Sequence, residues 1–457
     1  MSAIHPNQDH RPMVRLACQV QPYSYGKKGS KSLAARYALA TPENNFKLDE
    51  NQEYGEIWMG DHPNGPSKSA ATGVELATLI QQHPDEFLGA KVAQKYPNPT
   101  NGKPQLPFLF KVLSFDKALP LQAHPDKKLA AQLFKDEEKK QGGEHEKFVD
   151  TNHKPEVAVA LSETFEAFVG FRPAEEIVQF LRDVPELREL VASDVSSSPE
   201  LDRELKKTFG RIFDADPATV QRLTKSLVER VEKEGDAALG EIGKKEGLAR
   251  VVKKVLAQYP NPSTVDQKSM FAAIFFMNFV VAKRGEGIAV PADCIHAYLE
   301  GDCIEACRCM ATSDNMISCG WQGAMGPPDD ASLFVKMLLH NPGPSRHLAL
   351  PTTTVSSPKA QSGKYTTEYG IDKFMEEFSI LRVDLPGDAK ETIRLVGPAI
   401  YIVTRADQGV VFSIGADEQR ATLKEGEVIF VKPENDLTIA GVRGGGNVEV
   451  FGAYCEV

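Results

Sequence analysis

The sequence predicts a mainly β protein in which two small β-barrels are joined by a helical insertion. Short apolar runs separated by Gly, Pro and Asn, such as Glu56 to Met59 and Leu106 to Leu113, are typical of strands. A strongly charged region with helical periodicity, residues 173–259, interrupts these runs. A repeated local pattern is the third observation behind the prediction of two similar barrels.

That pattern consists of a Gly-Glu turn, alternating apolar positions and a terminal proline. Gly285-Glu286 is followed by Ile288, Val290 and Pro291, and Gly426-Glu427 is followed by Ile429, Val431 and Pro433. Both segments have the character of a strand that begins after a turn and ends at proline, as expected of equivalent strands in two barrels. The alternative is a chance match, because the pattern is short.

The helical insertion carries clear start and stop signals. Asp216 can cap a helix that begins at Pro217, apolar residues then recur at helical spacing, and Gly235 ends it. Ser198-Pro199 provides a similar start for the preceding helix. After residues 259–262 the chain is expected to return to strands, apart from one short helix near Ala331 to Leu339.

Three domains follow from these signals. Residues 1–172 and 260–327 are predicted to form the first barrel, residues 173–259 the helical domain, and residues 328–457 the second barrel. Their lengths suit independent hydrophobic cores.

The composition of the chain argues against several classes of function. The chain has 457 residues and a formal net charge of −10, which argues against a general nucleic-acid binder. Its longest apolar run, Met270 to Ala282, is shorter than the roughly 20 residues of a membrane span. The amino terminus has no secretory-signal pattern, so a cytoplasmic protein is expected. Nothing in the composition specifies an oligomeric state.

The seven cysteines indicate a reduced environment, since their number is odd and no signal precedes them. Four of them, Cys303, Cys307, Cys309 and Cys319, fall close together and could be read as thiolate zinc ligands. Their spacing has no CxxC pair, and small buried residues of a β segment are the favoured alternative.

Ligand-capable residues stand at the ends of three predicted strands. Gln122 and His124 would share one face of a strand, Glu156 would open another, and His296 and Tyr298 would share a face of a third. Together Gln122, His124, Glu156 and His296 make a mixed nitrogen and oxygen set that suits a zinc ion acting as a Lewis acid. The alternative is that each histidine is an ordinary surface or core residue.

The segments around these residues resemble the type I mannose-6-phosphate isomerases. The resemblance is carried by LPFLFKVLSFDKALPLQAHPDK (Leu106 to Lys127), NHKPE (Asn152 to Glu156), HAYLEGD (His296 to Asp302), ATSDN (Ala311 to Asn315), YGEIWMGDHPNGPS (Tyr54 to Ser67) and GKKGS (Gly26 to Ser30). It implies two cupin-type, jelly-roll-like β-barrels with a helical domain, and one zinc ion per chain held by Gln122, His124, Glu156 and His296.

The resemblance further implies reversible conversion of mannose 6-phosphate into fructose 6-phosphate, which supplies mannose for glycan synthesis. The sugar ring must open, and a proton must move between C2 and C1 through an enediol(ate). We expect His153 or Lys154 to assist at the ring oxygen, and Glu305 and Asp314 are the candidates for the carbon proton shuttle.

Two further side chains are expected to contact the small-molecule sugar phosphate. Lys111, on the strand that leads to Gln122, is a candidate for contact with the phosphate or an oxyanion. Tyr298 shares its strand face with His296. The alternative for Lys111 is an ordinary lysine on the surface of a strand.

The match departs from the family at the opening Tyr23-Ser24-Tyr25-Gly26, in the segment Trp321 to Pro328, and at two places nearer the site. Family members commonly read SDNVVRAG where this chain reads SDNMISCG, so Ser318 stands at the place of an arginine that could hold an oxyanion or a phosphate. Residues 306–308 are additional after Glu305. They raise a second hypothesis, a zinc cupin that binds sugar phosphate in a regulatory role without turnover. A cupin oxygenase is a third, disfavoured by the glutamine ligand.

Overall fold

The computed structural model describes residues 8–98, 101–141, 148, 150–192, 197–307, 315–322, 331–338, 340, 342–344, 352–354, 364–369, 377–415, 419–455 and 457. None of the helices in these ranges is long and apolar enough to cross a membrane.

The first part of the chain is rich in short strands. Its strands are β1 (Met13–Ala17), β2 (Gln19–Gln21), β3 (Lys27–Lys28), β4 (Glu53–Tyr54), β5 (Glu56–Met59), β6 (Lys68–Ser69), β7 (Leu109–Phe115), β8 (Gln122–Ala123), β9 (Glu156–Ala160) and β10 (Phe165–Phe171). Its helices are α1 (Leu33–Ala40), α2 (Leu76–Gln82), α3 (Pro84–Phe87), α4 (Ala90–Lys95) and α5 (Lys127–Gln141). The strand predicted at Glu56 to Met59 has these bounds, whereas β7 lies two to three residues beyond its predicted position.

A run of helices follows. It comprises α6 (Ala174–Asp183), α7 (Pro185–Val191), α8 (Ser198–Asp214), α9 (Pro217–Glu234), α10 (Gly240–Glu246), α11 (Leu248–Gln258) and α12 (Thr264–Phe276). The predicted start of α9 is confirmed, since the side chain of Asp216 accepts a hydrogen bond from the backbone N–H of Thr219 at 3.0 Å. That bond satisfies a donor that the first helical turn leaves without an intrahelical partner.

The rest of the chain is mostly strands. They are β11 (Met277–Ala282), β12 (Gly287–Val290), β13 (His296–Cys307), β14 (Ile317–Ser318), β15 (Thr352–Thr354), β16 (Thr366–Tyr369), β17 (Ser379–Leu385), β18 (Lys390–Leu395), β19 (Ala399–Arg405), β20 (Val410–Ile414), β21 (Gln419–Leu423), β22 (Val428–Val431), β23 (Asn435–Gly441) and β24 (Val448–Tyr454). The short helix predicted near Ala331 is present as α13 (Ala331–Met337).

The prediction that strands resume directly after residue 262 is wrong, because α12 comes first. The helix is capped reciprocally by Ser263 and Asp266, a signal that the sequence contains. Its residues from Met270 to Phe276 are buried on every side, so the apolar run has no helical periodicity to distinguish it from a buried strand. With α12 and the helices α1 to α5, the fold is a mixture of helices and strands in several sheets rather than mainly β.

Two sheets carry most of the strands. In one the order is β11-β10-β13-β7-β5-β2, and β8, β9, β12 and β14 join it through pairs with β13 and with one another. In the other the order is β15-β16-β17-β24-β19-β22-β1-β6. A smaller sheet has the order β18-β23-β20-β21, and β3 pairs with β4. Strand β1, near the amino terminus, therefore lies in the sheet built mainly from the carboxyl-terminal part.

The two segments with the repeated pattern form matching turns and strands. Gly285 and Gly426 have φ values of 82° and 88°, a conformation that favours glycine. Their N–H groups donate to the carbonyl oxygens of Ala160 and Val403, each at 2.8 Å. Strands β12 and β22 follow, each four residues long.

A buried carboxylate links the two large sheets. Glu449, on β24, is fully buried and accepts hydrogen bonds from Arg382 Nε and Thr404 Oγ1, each at 2.9 Å. Arg284, which follows β11, also contacts this carboxylate. Burial alone would raise the pKa of Glu449, but the charges of Arg284 and Arg382 hold it below its usual value.

We expect Glu449→Ala to lower the free energy of unfolding by about 3 kcal/mol, because it leaves two guanidinium groups without their buried partner. Urea denaturation measures this. The matched control is Glu425→Ala, which removes the solvent-exposed partner of Arg36 and should cost less than about 1 kcal/mol. Equal effects of the two substitutions would contradict a special role for the buried carboxylate.

Candidate active site

The four predicted metal ligands lie together where β8, β9 and β13 meet. Gln122 of β8 is directly opposite His296, the first residue of β13. Glu156, the first residue of β9, pairs in register with Cys307 at the other end of β13. His124 follows β8 and completes the group.

Both histidines face the carboxylate of Glu156. Nε2 of His124 is 3.3 Å from Oε1 of Glu156, and Nε2 of His296 is 3.4 Å from Oε2. The three side chains are at most 3% exposed, and their ligand atoms lie within 4.8 Å of one another. Gln122 lines the adjoining cavity.

The tautomer of His296 follows from its hydrogen bond. Its Nδ1 lies 3.0 Å from the carbonyl oxygen of Cys294, which can only accept, so Nδ1 carries the proton. In the neutral ring Nε2 then presents a lone pair toward Glu156, and it makes no hydrogen bond within the described part of the chain. A lone pair and a carboxylate oxygen that face each other in a buried site repel, and a cation between them would stabilise both.

Lys154 contributes positive charge on the same side of the group. Its Nζ lies 3.0 Å from Oε1 of Glu156, and it is 6% exposed. Burial alone would raise the pKa of Glu156, but the charge of Lys154 holds it well below its usual value. Burial, and then the charge of Lys154, lowers the pKa of His124. The carboxylate is therefore ionised while His124 is neutral, which is the state in which both bind metal ions.

This donor set fits a divalent transition-metal ion. Two neutral imidazoles and a carboxylate, with the amide oxygen of Gln122 nearby, are ligands that zinc accepts. His296 also has its outer nitrogen bonded to a backbone carbonyl, an arrangement that commonly orients metal-bound histidines.

A cavity extends from these residues along β7 and β13. It is lined by Tyr23, Tyr25, Glu56, Trp58, Lys111, Leu113, Leu119, Pro120, Gln122, Lys154, Glu156, Tyr298, Glu305 and Met316. Lys111 pairs in register with Glu305, and its Nζ is 3.6 Å from Oε1 of that residue. Burial and the charge of Glu156 raise the pKa of Glu305 well above its usual value.

Tyr298 faces the same cavity with a buried hydroxyl. The hydroxyl has no hydrogen-bond partner among the described residues. Burial and the charge of Glu305 raise the pKa of this phenol, so it is protonated and can donate a hydrogen bond to a ligand.

Of the two remaining predicted catalytic residues, the structure describes His153 alone, and it lies outside the cavity. Nε2 of His153 lies 3.5 Å from Oε1 of Glu377, which precedes β17, and His153 does not line the cavity. Asp314 lies outside the described residues.

Sequence reasoning assigned no role to Glu56, Tyr25 or Trp58, which line the cavity. Glu56 and Trp58 are two residues apart on β5 and therefore lie on the same face of the strand. The sequence alone could have indicated that a carboxylate and an indole lie side by side there. No signal in the sequence connects Tyr25 to them, since it lies on a separate segment before β3.

Ser318 lies beside the ligands, directly opposite Gln122 in the pairing of β14 with β8. It is buried and accepts a hydrogen bond from the side chain of Gln322. The four-cysteine zinc hypothesis finds no support in the described residues, where each candidate metal cluster contains at most one cysteine. Cys303, Cys307 and Cys319 are buried and free of disulfides, and Cys309 lies outside the described ranges.

Comparisons with known proteins agree with this site. The family model for the phosphomannose isomerase type I catalytic domain matches residues 13–174. The mannose-6-phosphate isomerase of Schizosaccharomyces pombe is 36% identical over 453 residues, which cover 97% of this chain and 100% of the relative. That of Cryptococcus neoformans is 34% identical and covers 97% of this chain and 99% of its own length.

Solved structures have the same fold. The mannose 6-phosphate isomerase of Salmonella typhimurium bound to fructose 6-phosphate and zinc matches with a TM-score of 0.73 at 24% sequence identity, and the match covers 98% of this chain and 100% of that one. The apo form of the Salmonella typhimurium protein gives a TM-score of 0.74 at 23% identity, with the same coverage. Identity above 30% along nearly the whole length of several relatives establishes that the chain belongs to the type I mannose-6-phosphate isomerase family.

Proposed function

We propose that the protein is a zinc-dependent isomerase that interconverts mannose 6-phosphate and fructose 6-phosphate through an enediol(ate). The observation that carries this proposal is the cluster of His124, Glu156 and His296, which opens onto a cavity lined by Lys154, Lys111 and Glu305. Metal ligands, a cationic donor and a carboxyl group can together polarise the sugar oxygens and move the carbon proton in an aldose to ketose isomerisation.

Zinc would be held by Gln122, His124, Glu156 and His296, one ion per chain. When bound, the ion supplies Lewis-acid polarisation of a sugar oxygen. The buried nitrogen of His296, which faces the carboxylate without a hydrogen bond, supports this ligand set.

Lys154 is the residue that we assign to the ring oxygen. Its ammonium group lines the cavity beside Glu156 and can donate a proton to the ring oxygen as the ring opens, then recover it on closure. His153, the other candidate for this step, contacts Glu377 instead, so we assign it the orientation of the segment before β9.

Glu305 is the residue that we assign to the carbon proton shuttle. Its carboxylate takes the proton from C2 to form the enediol(ate) and returns it to C1. Glu305 lines the cavity, and the Lys111 ammonium group 3.6 Å from its Oε1 favours the ionised form that a base needs. Asp314 remains the second candidate for this step.

Lys111 and Tyr298 are assigned to substrate contact. The Lys111 ammonium group can stabilise the negative charge of the phosphate or of an oxyanion, and the Tyr298 hydroxyl can donate to a sugar oxygen. Both side chains are rigidly placed on central strands of one sheet.

The architecture that fits this function is a pair of cupin-type, jelly-roll-like barrels with a helical domain. We assign residues 1–172 and 260–327 to the catalytic barrel, 173–259 to the helical domain and 328–457 to the second barrel, with β1 and β6 contributed to the sheet of the second. The proposed role is cytoplasmic, in the supply of mannose 6-phosphate to glycan synthesis.

The hypothesis of a regulatory protein without turnover is less well supported. It rested on Ser318 and the additional residues after Glu305. The full-length relatives named above are isomerases, and the ligand cluster and Lys154 are in place. Two lysines in the cavity wall, Lys111 and Lys154, supply positive charge that Ser318 lacks.

We expect zinc-loaded protein to convert mannose 6-phosphate into fructose 6-phosphate at roughly 1 to 1,000 turnovers per second, within the ordinary enzyme range. A coupled assay on protein of known zinc content measures the rate. A chelator should abolish turnover and added zinc should restore it. Binding of fructose 6-phosphate by the zinc-loaded protein without turnover would overturn the isomerase and favour the regulatory protein.

We expect His296→Ala to lose both zinc and activity, because it removes a ligand from the buried cluster. Zinc content after dialysis is measured by elemental analysis. The matched control is His340→Ala, which removes a half-buried histidine that stacks on Phe171 outside the cavity. The control should retain zinc. Full zinc content in His296→Ala would disprove the ligand assignment.

We expect Lys154→Met to retain zinc and to lower kcat by about a hundredfold or more, because a general acid is lost while the ligands remain. Lys432→Met is the control, since Lys432 is equally buried but pairs with Glu86 far from the cavity. Normal turnover by Lys154→Met would exclude this lysine from proton transfer, and zinc loss would indicate a structural role instead.

A further inference from the structure

A row of polar side chains crosses three adjacent strands at the wall of the cavity. In the pairing of β13, β7 and β5, Glu305 is opposite Lys111, and Lys111 is opposite Trp58. Glu56 lies two residues before Trp58 and therefore on the same face. The Lys111 Nζ atom is 3.3 Å from Oε2 of Glu56 and 3.6 Å from Oε1 of Glu305. Lys111 thus sits between two carboxyl groups.

Both oxygens of the Glu56 carboxylate are held by neutral donors. The hydroxyl of Tyr25 donates to Oε1 at 2.5 Å, and the indole Nε1 of Trp58 donates to Oε2 at 2.6 Å. Burial and the charge of Glu56 raise the pKa of Tyr25 well above its usual value, so the hydroxyl keeps its proton. Glu56 cannot rotate without breaking one of these buried hydrogen bonds.

Tyr25 reaches this position because its segment lies close against β4 and β5. A Cβ atom at Gly26 would come within 2.4 Å of the backbone of Tyr54 and Gly55, so only glycine permits the approach. The Tyr25 ring packs in a buried apolar cluster with Leu113 and Phe115. The ring of Tyr25 makes the apolar packing contacts, and its hydroxyl makes the hydrogen bond to Glu56. A substitution that removes only the hydroxyl therefore tests the hydrogen bond apart from the packing.

We propose that Tyr25 is a positioning residue, whose hydroxyl fixes the Glu56 carboxylate and thereby holds the Lys111 ammonium group at the substrate side of the cavity. A lysine side chain has four rotatable bonds, so its ammonium group is well placed only where fixed partners surround it. The Lys111 Nζ atom also lies 5.2 Å from the centre of the Trp58 ring, a cation–π distance. Tyr25 itself acts on substrate only through this chain of contacts.

The kinetic test rests on the proposed isomerase activity and uses the zinc-loaded full-length protein. Tyr25→Phe removes the hydroxyl and keeps the ring. We first measure whether Lys111→Met changes kcat or KM. Tyr25→Phe should then change the same constant in the same direction, by about tenfold. Tyr37→Phe is the control, since it removes a buried hydroxyl that donates to the Thr404 carbonyl oxygen at 3.2 Å, away from the cavity. The control should lower thermal stability to a similar extent with wild-type kinetics.

A double-mutant cycle separates positioning from a general loss of stability. In a Glu56→Gln background, Tyr25→Phe should have no further kinetic effect, because the carboxylate that it positions is already gone. Additive effects of the two substitutions would overturn the proposal. So would wild-type kinetics in Tyr25→Phe.

A crystal structure of Tyr25→Phe tests the same proposal without any activity. The Lys111 ammonium group should leave its position between Glu56 and Glu305, or occupy several positions. An unmoved, single position would overturn the positioning role. If the wild-type protein shows no isomerisation, the proposed function fails, and the position of Lys111 in this variant still decides whether Tyr25 holds it.

Discussion

The burial of the Glu156 carboxylate is the constraint on which the site depends. A buried carboxylate is stable only where cations or hydrogen-bond donors replace the water that it loses. Lys154 supplies one such cation, and the ring nitrogens of the two histidines, from two other segments of the chain, can hold a second one against the carboxylate. The sheet must therefore hold these segments within a few ångströms of one another, and the same arrangement creates a place for a divalent cation. The need to compensate the buried charge of Glu156 thus accounts both for the close approach of these segments and for the ability of the site to bind a cation.

Strand β13 supplies the geometry that meets this constraint. His296 and Tyr298 are the first and third residues of the strand and Glu305 is the tenth, so simple alternation would direct Glu305 to the opposite face from the other two. The pairing of β10 with β13 shifts by one residue between Glu300 and Tyr298, which is a β-bulge. After the bulge the alternation is inverted, and Tyr298 and Glu305 line the same cavity. Gly301, with a φ of 145°, follows the bulge where the strand changes partners from β10 to β7 and β9.

The carboxyl-terminal part supports the site although none of its described residues belongs to the metal cluster. The buried Glu449 binds Arg284, next to the turn that leads into β12, and β12 pairs with β9 where Val290 is opposite Glu156. The hydroxyl of Tyr369 also donates to the carbonyl oxygen of Gly285 in that turn, at 2.6 Å. The strand that begins with Glu156 is therefore held in place from the second large sheet. This explains how a region without a chemical motif can matter for the chemistry.

The sequence by itself determined the features that arise from local interactions and from short motifs. The bounds of β5, the start of α9 at Pro217 and the turn before β12 follow from neighbouring residues, and the motifs around Gln122, His124, Glu156 and His296 indicated the candidate ligands and identified the family. Beyond the capped start of α12, tertiary structure decided that the apolar run from Met270 to Phe276 is helical, because a segment buried on all sides has no periodicity. It also decided which face of β13 carries Glu305, through the bulge, and it brought Tyr25 to Glu56. These outcomes depend on contacts between segments far apart in the chain, and local sequence patterns contain no information about such contacts.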